Sequence, residues 1–172
     1  MDRAQLRAAQ KPIKARYRNE PETALVTLHA EGRLDQEEIA CSVATGRALV
    51  QAGLHPATGG SGMLACSGDM LLQALVACAG VTLRSVATSL QIPVTGTVSA
   101  EGDLDFRGTL GVAPDGEAPV GFRAIRLRFD LHGDATEEQL TTLMRLTERY
   151  CVVYQTLTGG VAVTVSRSGR EG

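Results

Sequence analysis

Four cysteines carry most of the chemistry this 172-residue chain can offer: Cys41, Cys66, Cys78 and Cys151. A thiolate is a nucleophile, and its sulfenic acid can be captured by a second thiol. Cys78 stands at the centre of the apolar run "LLQALVACAGVTL", and Cys151 lies in "ERYCVVYQTL" near the other end of the chain. Packing is the competing explanation for each, because free cysteine is among the most buried residue types. Four cysteines are too sparse for a disulfide scaffold. No Cys-x-x-Cys occurs, and His29, His55 and His132 sit at unrelated spacings, so a zinc site has little support. In a reducing compartment these thiols are therefore either inert packing or redox groups. Cys66, just before Ser67 and a helix start, gains some thiolate character there and is an alternative partner for Cys78. Cys41 alternates with polar neighbours and reads as packing, and His55, before Pro56, reads as a surface residue rather than a general base.

The elements that must hold these thiols follow from periodicity. "DRAQLRAAQ" has helical composition up to Pro12, which should end or kink the helix, and the Arg/Lys cluster after it reads as a solvated face. "TALVTLHAEGRL" alternates as a strand, "LDQEE" is a polar turn, and "IACSVATG" is a second strand, so an antiparallel hairpin is expected. "GLHPATGGSGM" is loop chemistry; Gly59, Gly60 and Gly62 lack both the Gly-Lys-Ser/Thr ending and the dinucleotide-binding spacing of a phosphate loop. Ser67 to Leu90 is the strongest helix, with Ser67 as expected N-cap, Asp69 in the dipole-complementing first turn, and Pro93 beyond the end. Its apolar residues run nearly all round, as in a helix wrapped by other structure.

"VTGTVSAEGDLDF" and "FRAIRLRFDLH" read as strands. In the second, Ile125, Leu127, Phe129 and Leu131 alternate with Arg126, Arg128, Asp130 and His132, giving one core face and one wet face. A capping box, Thr136 to Gln139, opens a helix that should end or bend near Tyr150 and Cys151. "GGVAVTVSRSG" is expected to close the domain as a strand. Strands and helices are not interleaved one by one, so the fold class is α+β. Residues 1–22 read as a helical, basic extension, 23–168 as a single domain, and 169–172 as a tail.

Composition narrows the function classes. Aromatic residues make up only 3%, with no Trp, which leaves no stacking platform for single-stranded nucleic acid. A net charge of -2 with no basic stripe gives no footprint for phosphate-backbone binding. The N-terminus is charged throughout, unlike a secretory signal, and the run Met70–Leu83 is shorter than the ~20 apolar residues of a bilayer span. A cytoplasmic protein is expected, with no nucleic-acid or membrane partner.

Together, "DMLLQALVACAGVTL" and "ERYCVVYQTL", with the Gly-rich lead-in "ATGGSG", resemble the OsmC/Ohr family of osmotically induced and organic-hydroperoxide-resistance proteins. The resemblance spans roughly Ala24 to Ser166 and suggests a divergent branch. Gly68 stands where the peroxidase subgroup has a Glu, with Asp69 as the neighbouring carboxylate, and Val152 replaces a common Pro. Arg33 in "AEGRL" is the nearest match to the family's strand-end Arg, while Arg47, Arg16 and Arg18 compete with it.

The resemblance implies an OsmC-like intertwined homodimer, with two long helices at its centre and curved antiparallel sheets around them. It also implies a thiol peroxidase that acts on organic hydroperoxides without metal or organic cofactor. Cys78 would attack the peroxide, Cys151 would resolve, Arg33 would stabilise the thiolate and Asp69 would orient the Arg. The implied reductant is a dithiol, such as a lipoylated protein, or a low-molecular-weight thiol. Two other readings of the same residues remain: a non-enzymatic module holding a lipid-like ligand in an apolar cleft, and a thiol redox sensor.

Overall fold

A computed structural model describes residues 3–34, 41–43 and 52–167. Helix α1 (Arg3–Asn19) leads through a 3-10 turn (Pro21–Ala24) into β1 (Leu25–Leu34), followed by β2 (Cys41–Val43). Two short strands, β3 (Ala52–Gly53) and β4 (Ala65–Cys66), pair in parallel and bracket the glycine-rich loop. Then come α2 (Ser67–Leu90), β5 (Thr95–Asp105), the single turn α3 (Phe106–Thr109), β6 (Phe122–His132), α4 (Glu137–Tyr150) and α5 (Val152–Gly159). The main sheet has the order β2-β1-β5-β6 and is antiparallel throughout. The α+β reading holds, and so does the β1–β2 hairpin. The polar turn expected after Leu34 and the candidate Arg47 lie outside the described residues, as does the expected tail.

The alternation of β5 and β6 explains how the sheet meets α2. Val98, Ala100 and Leu104 of β5 are buried on the inner face, joined by half-buried Ile125, Leu127, Phe129 and Leu131 of β6. On the outer face the Arg126 guanidinium donates to Asp103 (2.6 and 2.9 Å) and to Glu101 (3.3 Å). Against the inner face lies α2, which buries Leu72, Leu75, Val76, Ala79, Leu83 and Ala87, and α4 covers its other side with Leu143. By length and composition alone α2 could cross a membrane. Its buried residues instead make it the core helix of this domain.

Three local expectations need correction. Pro12 does not end α1, which runs on to Asn19. The bond lost at Pro12 is outweighed by tertiary anchoring, since Tyr17 is fully buried and its hydroxyl donates to the Ala57 carbonyl (2.8 Å). The N-cap of α2 is Cys66, not Ser67, because strand pairing with Gly53 holds Cys66 in extended backbone (φ -80°, ψ 132°) up to the helix start. The far end of α2 is as read, at Leu90, with Gln91 as C-cap in the left-handed region (φ 54°). The closing strand is absent: residues 161–167 form no ladder, and Val161, Val163 and Val165 are exposed. Alternation makes a segment fit a sheet, but a strand exists only where a neighbour accepts its hydrogen bonds.

The glycine-rich loop serves packing. Gly59 caps the short 3-10 turn Pro56–Thr58 with φ 93°, and a Cβ on Gly60 would collide with the Leu54 carbonyl. His55 is a structural member of that turn: its Nδ1 accepts from the Ala57 N–H (3.0 Å) and its ring stacks on Phe106 at 4.9 Å.

Candidate active site

Cys151 is the hinge between two helices. Its extended backbone (φ -72°, ψ 106°) ends α4, where its N–H donates to the Thr147 carbonyl (2.9 Å). The same residue is the N-cap of α5: its carbonyl accepts from the Gln155 N–H (2.9 Å), and its sulfur accepts from the Tyr154 N–H (3.5 Å). A sulfur can fill the role usually taken by Ser or Asp, although it is a weaker acceptor. Cys151 is only 1% exposed.

Cys78 faces this hinge from the middle of α2 and is half-buried. Beside its sulfur stand the Cys151 thiol, the backbone of Val153 and Val152, and the Thr82 hydroxyl one turn further along α2. The two residues that chemistry singled out in the sequence therefore meet in the fold, although they lie on separate helices. Both are unbridged thiols.

The environment separates their proton affinities. Burial works to raise the Cys78 thiol, but the Val153 N–H, the Cys151 thiol, the Thr82 hydroxyl and the Val152 N–H together hold it below its ordinary value. Burial pushes Cys151 up to about 11, and the contact and charge of Cys78 add to the rise, against the Tyr154 N–H. The pair titrates as a unit in which Cys78 takes the charge and Cys151 keeps the proton.

Of the other candidates, Asp69 and Cys66 lie further off along α2, and the rest sit on other elements. Asp69 is in the first turn of α2, roughly 13 Å along the axis from Cys78 at 1.5 Å per residue, so its carboxylate reaches the thiol only through an intermediary. Cys66, at the same end, is roughly 18 Å away along the axis and is not brought to Cys78 within the chain. Arg33 is near the end of β1, its backbone paired with Thr97 of β5 and Ser42 of β2. Arg16 and Arg18 are exposed on α1, and the Arg16 guanidinium lies over the Tyr17 ring at 5.2 Å. Cys41 pairs with Leu34 across β1 and β2. Among the described residues, no three His, Cys, Asp or Glu side chains gather as a metal site.

Two concavities are lined by chain neighbours of the thiols, though by neither thiol itself. A groove of about 470 Å³ between α2 and α4 begins at Thr82 and is lined by Val81, Ser85, Val86, Leu146 and Tyr150 among others, with no charged side chain. A cavity of about 510 Å³ runs under β6, bounded by Leu75, Phe129 and Tyr154, with Arg123 and Glu148 also lining it.

Sequence reasoning missed Thr82, Val152 and Val153. Thr82 had a signal, since it lies one helical turn from Cys78 on the same face. The two valines contribute only backbone N–H groups, which no residue type announces.

The profile of the OsmC-like protein family matches residues 60–166, which include both thiols. Among solved structures, an OsmC-like hydroperoxide resistance protein from Jannaschia sp. CCS1 is similar in fold, with a TM-score of 0.52 and 17% sequence identity. That alignment covers 86% of this chain and 96% of the other. No curated protein matches the chain in sequence.

Proposed function

The chain belongs to the OsmC-like protein family, and we propose that it is a thiol-dependent peroxidase that reduces organic hydroperoxides through Cys78 and Cys151. One observation carries this reading: two unbridged thiols in contact, one biased toward thiolate and the other toward thiol. The hydroperoxide resistance ascribed to the Jannaschia relative points the same way.

The chemistry balances within the pair and its co-reactants. The Cys78 thiolate attacks the terminal oxygen of R–O–OH; an S–O bond forms, the O–O bond breaks, and R–OH leaves after protonation, giving a Cys78 sulfenic acid. The Cys151 sulfur then attacks the Cys78 sulfur, forming the disulfide and releasing water. An external dithiol, of the lipoyl type or a low-molecular-weight thiol, reduces that disulfide by exchange and is itself oxidised. No metal or organic cofactor enters these steps. The groove that begins at Thr82 suits an uncharged, oily hydroperoxide. Arg33, oriented by Asp69, is the candidate for a further cationic contribution to the thiolate. The working form is a cytoplasmic homodimer.

Cumene hydroperoxide tests the proposal. Titrating reduced protein should consume two thiols per chain in wild type and none rapidly in Cys78→Ser. If thiol content stays constant at excess peroxide, the peroxidase reading is wrong.

A further inference from the structure

We propose that Gln155 is a positioning residue for the resolving step: by tying α5 to the last turn of α4, its side-chain amide keeps the Cys151 sulfur set for closure with Cys78. This deepens the peroxidase reading and rests on it for purpose, while its test can fail separately.

The break at Cys151 leaves a gap in the hydrogen bonding of α4. The Thr147 carbonyl still accepts from the Cys151 N–H (2.9 Å), but the extended backbone of Cys151 ends the run there. The Glu148 carbonyl, next in line, is one of the orphan acceptors that a helix end exposes. Gln155 fills that place from the second helix: its Nε2 donates to the Glu148 carbonyl at 2.8 Å. Among the described residues no other side chain bonds α5 to α4. Water could satisfy an exposed carbonyl nearly as well, so what the amide adds is the tie between the two helices.

The tie reaches the sulfur through two further bonds. The Gln155 N–H donates to the Cys151 carbonyl (2.9 Å), which fixes where α5 starts. The Tyr154 N–H, one residue before, donates to the Cys151 sulfur (3.5 Å). So long a bond directs the sulfur only while α5 keeps its angle to α4. In the resolving step the Cys151 sulfur attacks the Cys78 sulfenic acid. The S–S bond forms, the S–O bond breaks, and the Cys151 proton leaves with the hydroxyl as water. Closure depends on how the two sulfurs are oriented, whereas attack on peroxide needs Cys78 alone. Loss of the tie therefore slows closure and spares attack.

Gln155 is exposed, so replacing it leaves the core intact. Gln155→Met keeps the length and removes the N–H; Gln155→Glu keeps the shape and also lacks a donor. Gln155→Lys restores a donor at similar reach. Each reduced protein receives one equivalent of cumene hydroperoxide at the pH midpoint of its own Cys78 iodoacetamide labelling, so that equal fractions of thiolate attack. Peptide-resolved mass spectrometry of quenched samples follows the dimedone-trapped sulfenic acid and the disulfide. Closure should slow about fivefold in Gln155→Met and Gln155→Glu, the effect of one hydrogen bond, with attack unchanged and sulfenic acid building up. Gln155→Lys should close at nearly the wild-type rate.

Closure at wild-type speed in Gln155→Met overturns the proposal. So does equal slowing of both steps, which marks a general loss of structure, and so does a Gln155→Lys protein no faster than Gln155→Met. A wild type that ignores peroxide retires the peroxidase reading, and diamide then reads the tie. It takes up one thiol of the pair as an adduct and leaves as the hydrazine, its N=N bond reduced, when the other thiol attacks. Slower disulfide formation with diamide in Gln155→Met keeps the proposal, and an unchanged rate overturns it.

Discussion

When two thiols touch, one proton and one negative charge must be divided between them, and the surroundings decide which sulfur receives which. Cys151 is buried at a helix junction, and the long Tyr154 N–H contact offsets little of that, so ionising it is costly. Cys78 is half-exposed and faces several donors. In the proposed peroxidase this sets the polarity, with Cys78 attacking and Cys151 waiting. Replacing Cys151 with Ser should therefore leave attack intact and stall the protein as a Cys78 sulfenic acid, detected as one dimedone adduct per chain after one equivalent of peroxide. Wild type should show almost none. A pH effect on stability follows from the same split. The raised Cys151 group stabilises the fold fully below its ordinary value near 9.0, and that contribution is lost as pH rises toward about 11. The lowered Cys78 group works oppositely: its contribution is present above the ordinary thiol value and lost as pH falls through its folded value. Between pH 9 and 11 the melting temperature of wild type should accordingly fall more than that of Cys151→Ser, by a few degrees. At this scale the sequence was legible where side-chain identity carries the chemistry, as with the two cysteines. It was illegible where the backbone does, as with the amides of Val152 and Val153.

Elements with a strong period were legible almost to the residue. The boundaries of α2 and β6 follow from continuous apolarity and from strict alternation. The capping box of α4 is present as read, with the Gln139 N–H donating to the Thr136 hydroxyl (3.2 Å) and the Thr136 N–H donating to the Gln139 side chain (2.8 Å). That cap sets where α4 starts, and α4 ends on Cys151. Thr136→Ala should cost about 1 kcal/mol in urea unfolding without moving the Cys78 labelling midpoint, because the loss is at the far end of the helix. A midpoint that moves with it would mean the two ends of α4 are coupled. What local pattern misjudged was decided by contacts outside the segment. Tyr17 carries α1 across Pro12, Gly53 pairing shifts the α2 cap to Cys66, and the missing ladder leaves 161–167 without a strand.

At the scale of the whole molecule, α2 presents an unusual surface. Met70, Ala74, Ala77 and Val81 recur at helical spacing on one face, with Leu71 and Cys78 on its flank. Met70, Leu71 and Val81 are 37–39% exposed, and none of these side chains is charged. The proposed homodimer would cover this stripe, since a two-fold axis sets the same apolar stripe against itself. The exposed valines at 161, 163 and 165 offer a further apolar edge for such a partner. Ala74 lies mid-stripe and makes no contribution to the buried core. Ala74→Glu would bring a carboxylate toward its own two-fold mate, an unpaired charge in an apolar contact. Light scattering should therefore show wild type as a dimer at micromolar concentration and Ala74→Glu as a monomer with unchanged far-ultraviolet circular dichroism. Because Cys78 sits on the flank of the same stripe, the monomer opens the thiol to water and its peroxide rate should fall with the dimer fraction. A monomeric wild type, or a dimeric Ala74→Glu protein, would remove α2 from the interface.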